Sequence, residues 1–273
     1  MLIKALNHMT CPSMPHDVFM HMAKEIGCVG VHYRNDLDRP LFEGHSPESV
    51  AELAKNSGMR ITGLAQLSQF NKWNSERETQ VKELIDIAVR IGAAGIGLIP
   101  LCDGTGTADG ERQQNLKEAL LHLRPILEEA GIQGFIEPLG FAHCSLRHKS
   151  EAVDAILSVN GEACFRLVHD TFHHYLANEC ATGATIFPDF TGIVEISGIV
   201  DSSLLPSQMQ DEHRVLVDEN DVIGNVAQIK ELMLAGYSGP VSFEPFSPLV
   251  HNLENPAEEI AKSFDYISAQ LGA

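Results

Sequence analysis

The chain of 273 residues carries 19 Lys plus Arg against 37 Asp plus Glu, a net charge of −18, with 44% hydrophobic and 21% charged residues. This is the composition of a globular protein long enough for one large domain, and a field of that sign repels nucleic-acid phosphates and anionic lipid. No apolar run approaches the ~20 residues that span a bilayer, and MLIKALNHMT lacks the basic and apolar regions of a signal peptide, so the reading is a cytoplasmic protein with no membrane or nucleic-acid partner.

In chain order, the strand pattern LIKALNH leads into the helical pattern PHDVFMHMAKEIG, CVGVHYR into SPESVAELAKNSG, RITGLAQL into SERETQVKELIDIAVRIG, and AAGIGLIP into ERQQNLKEALLHLRPILEEAG. The second half continues with GFIEPL and SEAVDAILSVNG, FRLVHDT and the short HHYLANE, GIVEISG and NVAQIKELMLAGY, then PVSFEPF and NPAEEIAKSFDYISAQLG. Strands that alternate with helices favour a parallel sheet with helical crossovers. Eight of them predict an α/β fold, a single (β/α)8 TIM barrel over residues 1–273, although a doubly wound open sheet uses the same units. Gly27, Gly58, Gly92, Gly131, Gly161 and Gly236 stand where helix C-caps should be. Cys11, Cys28, Cys102, Cys144, Cys164 and Cys180 are spread singly without a C-x-x-C pair, which reads as reduced, mostly buried thiols rather than a disulfide framework or thiolate zinc site.

In such a barrel the inward residues at the C-terminal strand ends line the active site. They are Asn7 and His8, His32 and Arg34, Gln66, then Glu137, Asp170 with His173 and His174, Glu195, and Glu244. The fifth to eighth strands thus each end on a carboxylate, in two cases followed by proline (GFIEPLG and VSFEPF). Each close pair of such acids repels by about 4 kcal/mol at an effective dielectric of ~20, so a positive partner is required. One divalent cation meets the need, and all-oxygen ligation by Glu137, Asp170, Glu195 and Glu244 favours Mn²⁺ or Mg²⁺ over Zn²⁺ or Co²⁺. The prolines fix where the strands stop. Separate structural ion pairs are the alternative for each acid.

The long polar segment 200–221 carries His213 and Arg214 and reads as a substrate-covering lid. Arg34 and Asn35 are candidates for substrate hydroxyls, with pairing of Arg34 to Asp36 or Asp38 as the competing reading. His8 is a candidate substrate ligand or a structural histidine, and His143 and His148 read as solvent-facing. DGTGTADGER at 103–112 lacks the spacing of a nucleotide cradle, and PFSPLVHN offers no glycine nest for phosphate, so the expected substrate is an unphosphorylated polyol or keto-sugar. Trp73 in FNKWN reads as a wall of the site or as a packing residue, and a homo-oligomer is compatible with the sequence.

IEPLGF, RLVHDTFHHYLA, ISG, DEHRVLVDENDVIGN and GYSGPVSFEPFSP resemble the xylose isomerase-like sugar phosphate isomerase/epimerase superfamily of TIM barrels, and within it the inosose isomerase-like proteins. LNHMT and VGVHYRNDL extend the resemblance over nearly the whole chain. It implies a divalent metal held at Glu137, Asp170, Glu195 and Glu244, with Glu195 standing where the family usually has histidine, and a substrate-binding role for His173. It implies further that Glu137 and Glu244 are the catalytic acid/base pair, moving a proton next to a carbonyl through a metal-stabilised cis-enediolate. Isomerisation or epimerisation of an inosose-like keto-polyol is the leading expectation. Inosose dehydration on the same scaffold, a non-catalytic barrel with a degraded metal site, and an apurinic-site endonuclease are the alternatives, the last opposed by the net charge of −18.

Overall fold

The structure, a computed structural model, describes residues 2–179 and 186–272. Cys180 therefore lies outside the described residues. Eight parallel strands close in sequential order: β1 (Lys4–Asn7), β2 (Gly30–Arg34), β3 (Arg60–Ser68), β4 (Gly95–Ile99), β5 (Gln133–Ile136), β6 (Phe165–Asp170), β7 (Thr191–Ile196) and β8 (Val241–Phe243), with β8 pairing back to β1. Around them run α1 (His16–Glu25), α2 (Pro47–Ser57), α3 (Ser75–Ile91), α4 (Glu111–Ala130), α5 (Lys149–Ser158), α6 (Thr171–Leu176), α7 (Asn225–Leu234), a short α8 (Pro248–His251) and α9 (Pro256–Leu271). The closed barrel, not the open sheet, is the outcome.

Alternation along the strands builds two apolar regions. Outward residues such as Val31, Ile61, Ile96, Ile136, Leu167 and Val194 pack beneath the helices in the main core. Inside the barrel Phe135, Val168 and Ile193 form a separate cluster. Side chains two residues apart on a strand share a face, so Glu137, Asp170 and Glu195 stand directly above that plug. The ladder runs as far as the acids: the Glu137 N–H donates to Leu98 O at 3.2 Å and the Glu244 N–H to Ile196 O at 2.9 Å. The next residue is proline in both strands, which has no N–H to continue pairing.

Helix ends follow the sequence with one exception. Gly58, Gly92 and Gly131 close α2, α3 and α4 in the left-handed conformation. Gly161 does not; Asn160 takes the positive φ of 51° instead, and Gly161 is fixed by close packing, since a Cβ there would sit 2.6 Å from the Phe165 ring.

The expectation that all cysteines are free thiols is corrected. Cys102, after β4, and Cys144, after β5, form a disulfide across a separation of 42 residues. Two loops brought side by side by neighbouring strands place them together, a relation that linear spacing does not carry. Cys11, Cys28 and Cys164 are buried thiols, as expected.

Candidate metal and proton-transfer site

Four carboxylates meet at the C-terminal mouth of the barrel. Oxygen atoms of Glu137, Asp170, Glu195 and Glu244 all lie within 4.8 Å of one another, and each residue is buried. Their partners are unequal. Asp170 Oδ2 accepts from Arg214 Nη2 at 2.5 Å, and its Oδ1 caps α6 through the His173 N–H at 3.0 Å. Glu244 accepts from Arg34 Nη1 at 2.5 Å, Arg214 Nη2 at 3.0 Å and Asn7 Nδ2 at 3.0 Å. Glu195 Oε1 accepts from Asn7 Nδ2 at 2.8 Å and lies 3.4 Å from His32 Nδ1. Among the described residues, Glu137 has the His173 ring, 3.7 Å away, as its one ion-pair contact and no hydrogen bond to its carboxylate.

Acidities follow from these surroundings. Burial, reinforced by the neighbouring carboxylates, pushes Glu137 and Glu244 well above the ordinary carboxylate range. Burial pushes Asp170 up as well, but the Arg214 charge, together with His173 and the backbone N–H groups of Phe172 and His173, outweighs it and holds the acid low. At Glu195 the upward push of burial is outweighed by His32 and Asn7. Burial lowers His173 despite the adjacent Asp170, so its ring is neutral. Two acids that favour a proton thus stand beside two that favour charge, the arrangement that divides acid from base roles.

A divalent cation fits these residues. Burial and the neighbouring carboxylates favour a proton on Glu137 and Glu244, a strain that a divalent charge at the cluster would relieve; Glu137 is without a hydrogen bond from any described residue, and the donor set is all oxygen. Glu137, Asp170, Glu195 and Glu244 would hold the ion.

Beside the cluster is a cavity of about 190 Å³ lined in part by Arg34, Gln66, Glu137, His173, Arg214 and Glu244. The scale suits a small molecule. A larger cavity of about 500 Å³ opens at the opposite end of the barrel, against Met59, Ile61, Phe135 and Ile193, but no carboxylate or imidazole lines it. Size alone does not mark the chemistry.

Among the substrate-binding candidates, Arg34, Gln66, His173 and Arg214 reach the cavity. Arg34 also settles the pairing question: it bonds Asp36 through two nitrogens, at 2.8 and 2.6 Å, and not Asp38. Asn35 is engaged with the backbone of Gln66. His213 stands apart from the cavity: its Nδ1 accepts from the Gln210 N–H at 2.9 Å within a short 3-10 helix, while Arg214 beside it turns inward. The segment 200–221 is not a structureless lid. Ile199, Met209 and Ile223 pack with Phe172 and Leu176 of α6, and Gly198 pairs with Val215. Trp73 stacks on His122 at 5.3 Å, away from the site.

His8 likewise stands apart, stacked on Phe19 at 4.3 Å with Arg39 Nη2 2.7 Å from its Nε2. Burial, helped by Arg39, lowers its pKa from 6.5 to about 4. The folded value lies below the unfolded one, so the stability contributed by the neutral ring is complete above pH 6.5 and is lost as pH falls toward 4. At 1.36 kcal/mol per pH unit the full loss is about 3 kcal/mol. His8→Gln is expected to flatten the fall in stability across that range in urea titrations; an unchanged slope would contradict the assignment.

Sequence places Asn7 and His32 at strand ends, within LNHMT and VGVHYRNDL, and offers Asp36 as a partner for Arg34, but gives none of them a role in the site; the aromatic wall of Phe141 and Phe246 has no sequence signal. Phe246 lies 4.5 Å from the Arg214 guanidinium and 5.6 Å from that of Arg34.

The family described as xylose isomerase-like TIM barrel matches residues 20–270. An inosose isomerase of Bacillus velezensis is 26% identical over 235 residues, which are 81% of this chain and 79% of that protein. A xylose isomerase domain containing protein from Salmonella typhimurium LT2 superposes with a TM-score of 0.90 at 28% identity, covering 99% of this chain and 97% of that one. The IolI protein with a bound zinc atom superposes with a TM-score of 0.87 over 99% and 98% of the two chains, and at 20% identity this likeness speaks to the fold.

Proposed function

The chain belongs to the xylose isomerase-like TIM barrel family, and from that premise we propose a divalent-metal-dependent isomerase or epimerase of a small unphosphorylated keto-polyol, with inosose as the first candidate. The observation that carries the reading is the pair of buried glutamates, Glu137 and Glu244, whose surroundings favour the protonated form beside a cavity of small-molecule size. Bound there, a divalent cation supplies positive charge that acidifies a C–H next to a carbonyl and offsets the negative charge that develops. Glu137, without a hydrogen bond from any described residue and ionised once the ion is bound, takes the proton from carbon; Glu244, whose surroundings favour the protonated form, returns one to the neighbouring carbon or the opposite face. Arg34, Arg214, His173 and Gln66 orient substrate oxygens, and Phe141 and Phe246 restrict water. Arg34 and Arg214 are already paired with acids, so a phosphorylated substrate would meet a wall without free positive charge. Mn²⁺ or Mg²⁺ and a cytoplasmic location belong to the same reading.

The test is NMR of inosose and related keto-polyols in D₂O with the Mg²⁺-loaded protein, together with product mass. Loss of the C–H signal beside the carbonyl, with no change in product mass other than deuterium, is expected. Loss of one water would instead identify a dehydratase, and absence of exchange across the panel with the ion bound would contradict the proposal.

A further inference from the structure

His32 has no role in the chemistry described so far, yet its setting is built. It is 2% exposed, pairs in register with Asn7 on one side and Gly63 on the other, and points into the barrel layer that holds the carboxylates. A Cβ on Gly63 would sit 2.8 Å from His32 Nε2, so the ring occupies space that only glycine leaves open. Neither ring nitrogen makes a hydrogen bond of good geometry, an expensive state for a buried imidazole. Nδ1 nevertheless lies 3.4 Å from Glu195 Oε1, the same oxygen that accepts from Asn7 Nδ2. Glu195 Oε2 has no hydrogen-bond or ion-pair partner among the described residues. Asn7 Nδ2 and His32 Nδ1 thus both lie against one oxygen, and the other is without a partner among the described residues.

We propose that His32 is a positioning residue for the divalent-cation site, its Nδ1–H fixing the Glu195 carboxylate through Oε1 so that Oε2 is presented to the ion. The proposal rests on the metal-site reading above. Metal ligands are ordinarily oriented by a second hydrogen-bonded group, and losing that group typically weakens metal binding by ~10- to 100-fold. The order here is carboxylate toward the ion and imidazole behind it. Glu195 depends on this support because, unlike Asp170 and Glu244, it has no arginine partner among the described residues.

The test is calorimetric Mn²⁺ titration of the chelator-stripped full chain as wild type, His32→Phe and His32→Gln, with the visible absorption of bound Co²⁺ recorded in parallel. His32→Phe keeps a ring in the space but removes both nitrogens, and is expected to bind ~10- to 100-fold more weakly with an altered Co²⁺ spectrum. His32→Gln keeps an N–H donor and is expected to recover most of the affinity; His32→Leu replaces the Phe variant should that one not fold. Wild-type affinity and spectrum in the nitrogen-free variant would overturn the role of His32. Absence of binding by the wild type would instead overturn the metal reading itself, a separate outcome.

Discussion

Glu137→Gln is expected to lower kcat on the keto-polyol by ~10²- to 10⁴-fold, the range associated with a positioned general acid or base, while raising the melting temperature of the ion-free protein. The two effects have one cause. Glu137 is buried among three other carboxylates and accepts no hydrogen bond from a described residue, so in the ion-free protein it must take up a proton on folding, which costs stability at pH values above the ordinary carboxylate range. Glutamine keeps the shape and removes the charge. Glu244→Gln is expected to lower kcat comparably without the gain in stability, because Arg34 and Arg214 would each lose a buried partner. Thermal melts and single-substrate kinetics on the two variants separate the cases. Equal stability changes in both would contradict the charge account.

Arg214→Met is expected to destabilise the ion-free protein by about 3–5 kcal/mol, the cost of leaving buried charge unpaired. The guanidinium is 1% exposed, bonds Asp170 and Glu244, receives Ser197 Oγ as a further acceptor at 2.9 Å, and stacks against Phe172 and Phe246. Methionine retains much of the packing and none of the charge. A divalent cation supplies the missing positive charge, so saturating Mn²⁺ is expected to recover part of the loss. Urea titrations with and without the ion measure both quantities. A loss below ~1 kcal/mol would place Arg214 among weak surface pairs, against its burial.

The barrel was legible because its evidence is periodic: strands alternating with helices, and acids at equivalent ends of β5 to β8. The carboxylates stand out in sequence because an apolar run that ends in Glu-Pro violates the pattern of a buried strand. The places of Asn7 and His32 in the site were not legible, since each meets Glu195 across more than half the length of the chain. Arg214 and His213 show the limit at finer scale. They are neighbours in one polar segment, and only the folded turn sends one guanidinium into the acid cluster and leaves the imidazole capping a backbone N–H. The Cys102–Cys144 disulfide depends on adjacency of two barrel loops, which spacing alone does not encode.

The central claim is that four inward carboxylates hold one divalent ion. Calorimetric titration of Mn²⁺ into the chelator-stripped protein, wild type beside Glu195→Gln, tests it most directly. The account predicts one ion bound per chain and clearly weaker binding by the variant. No binding by the wild type, or equal binding by the two, would contradict it.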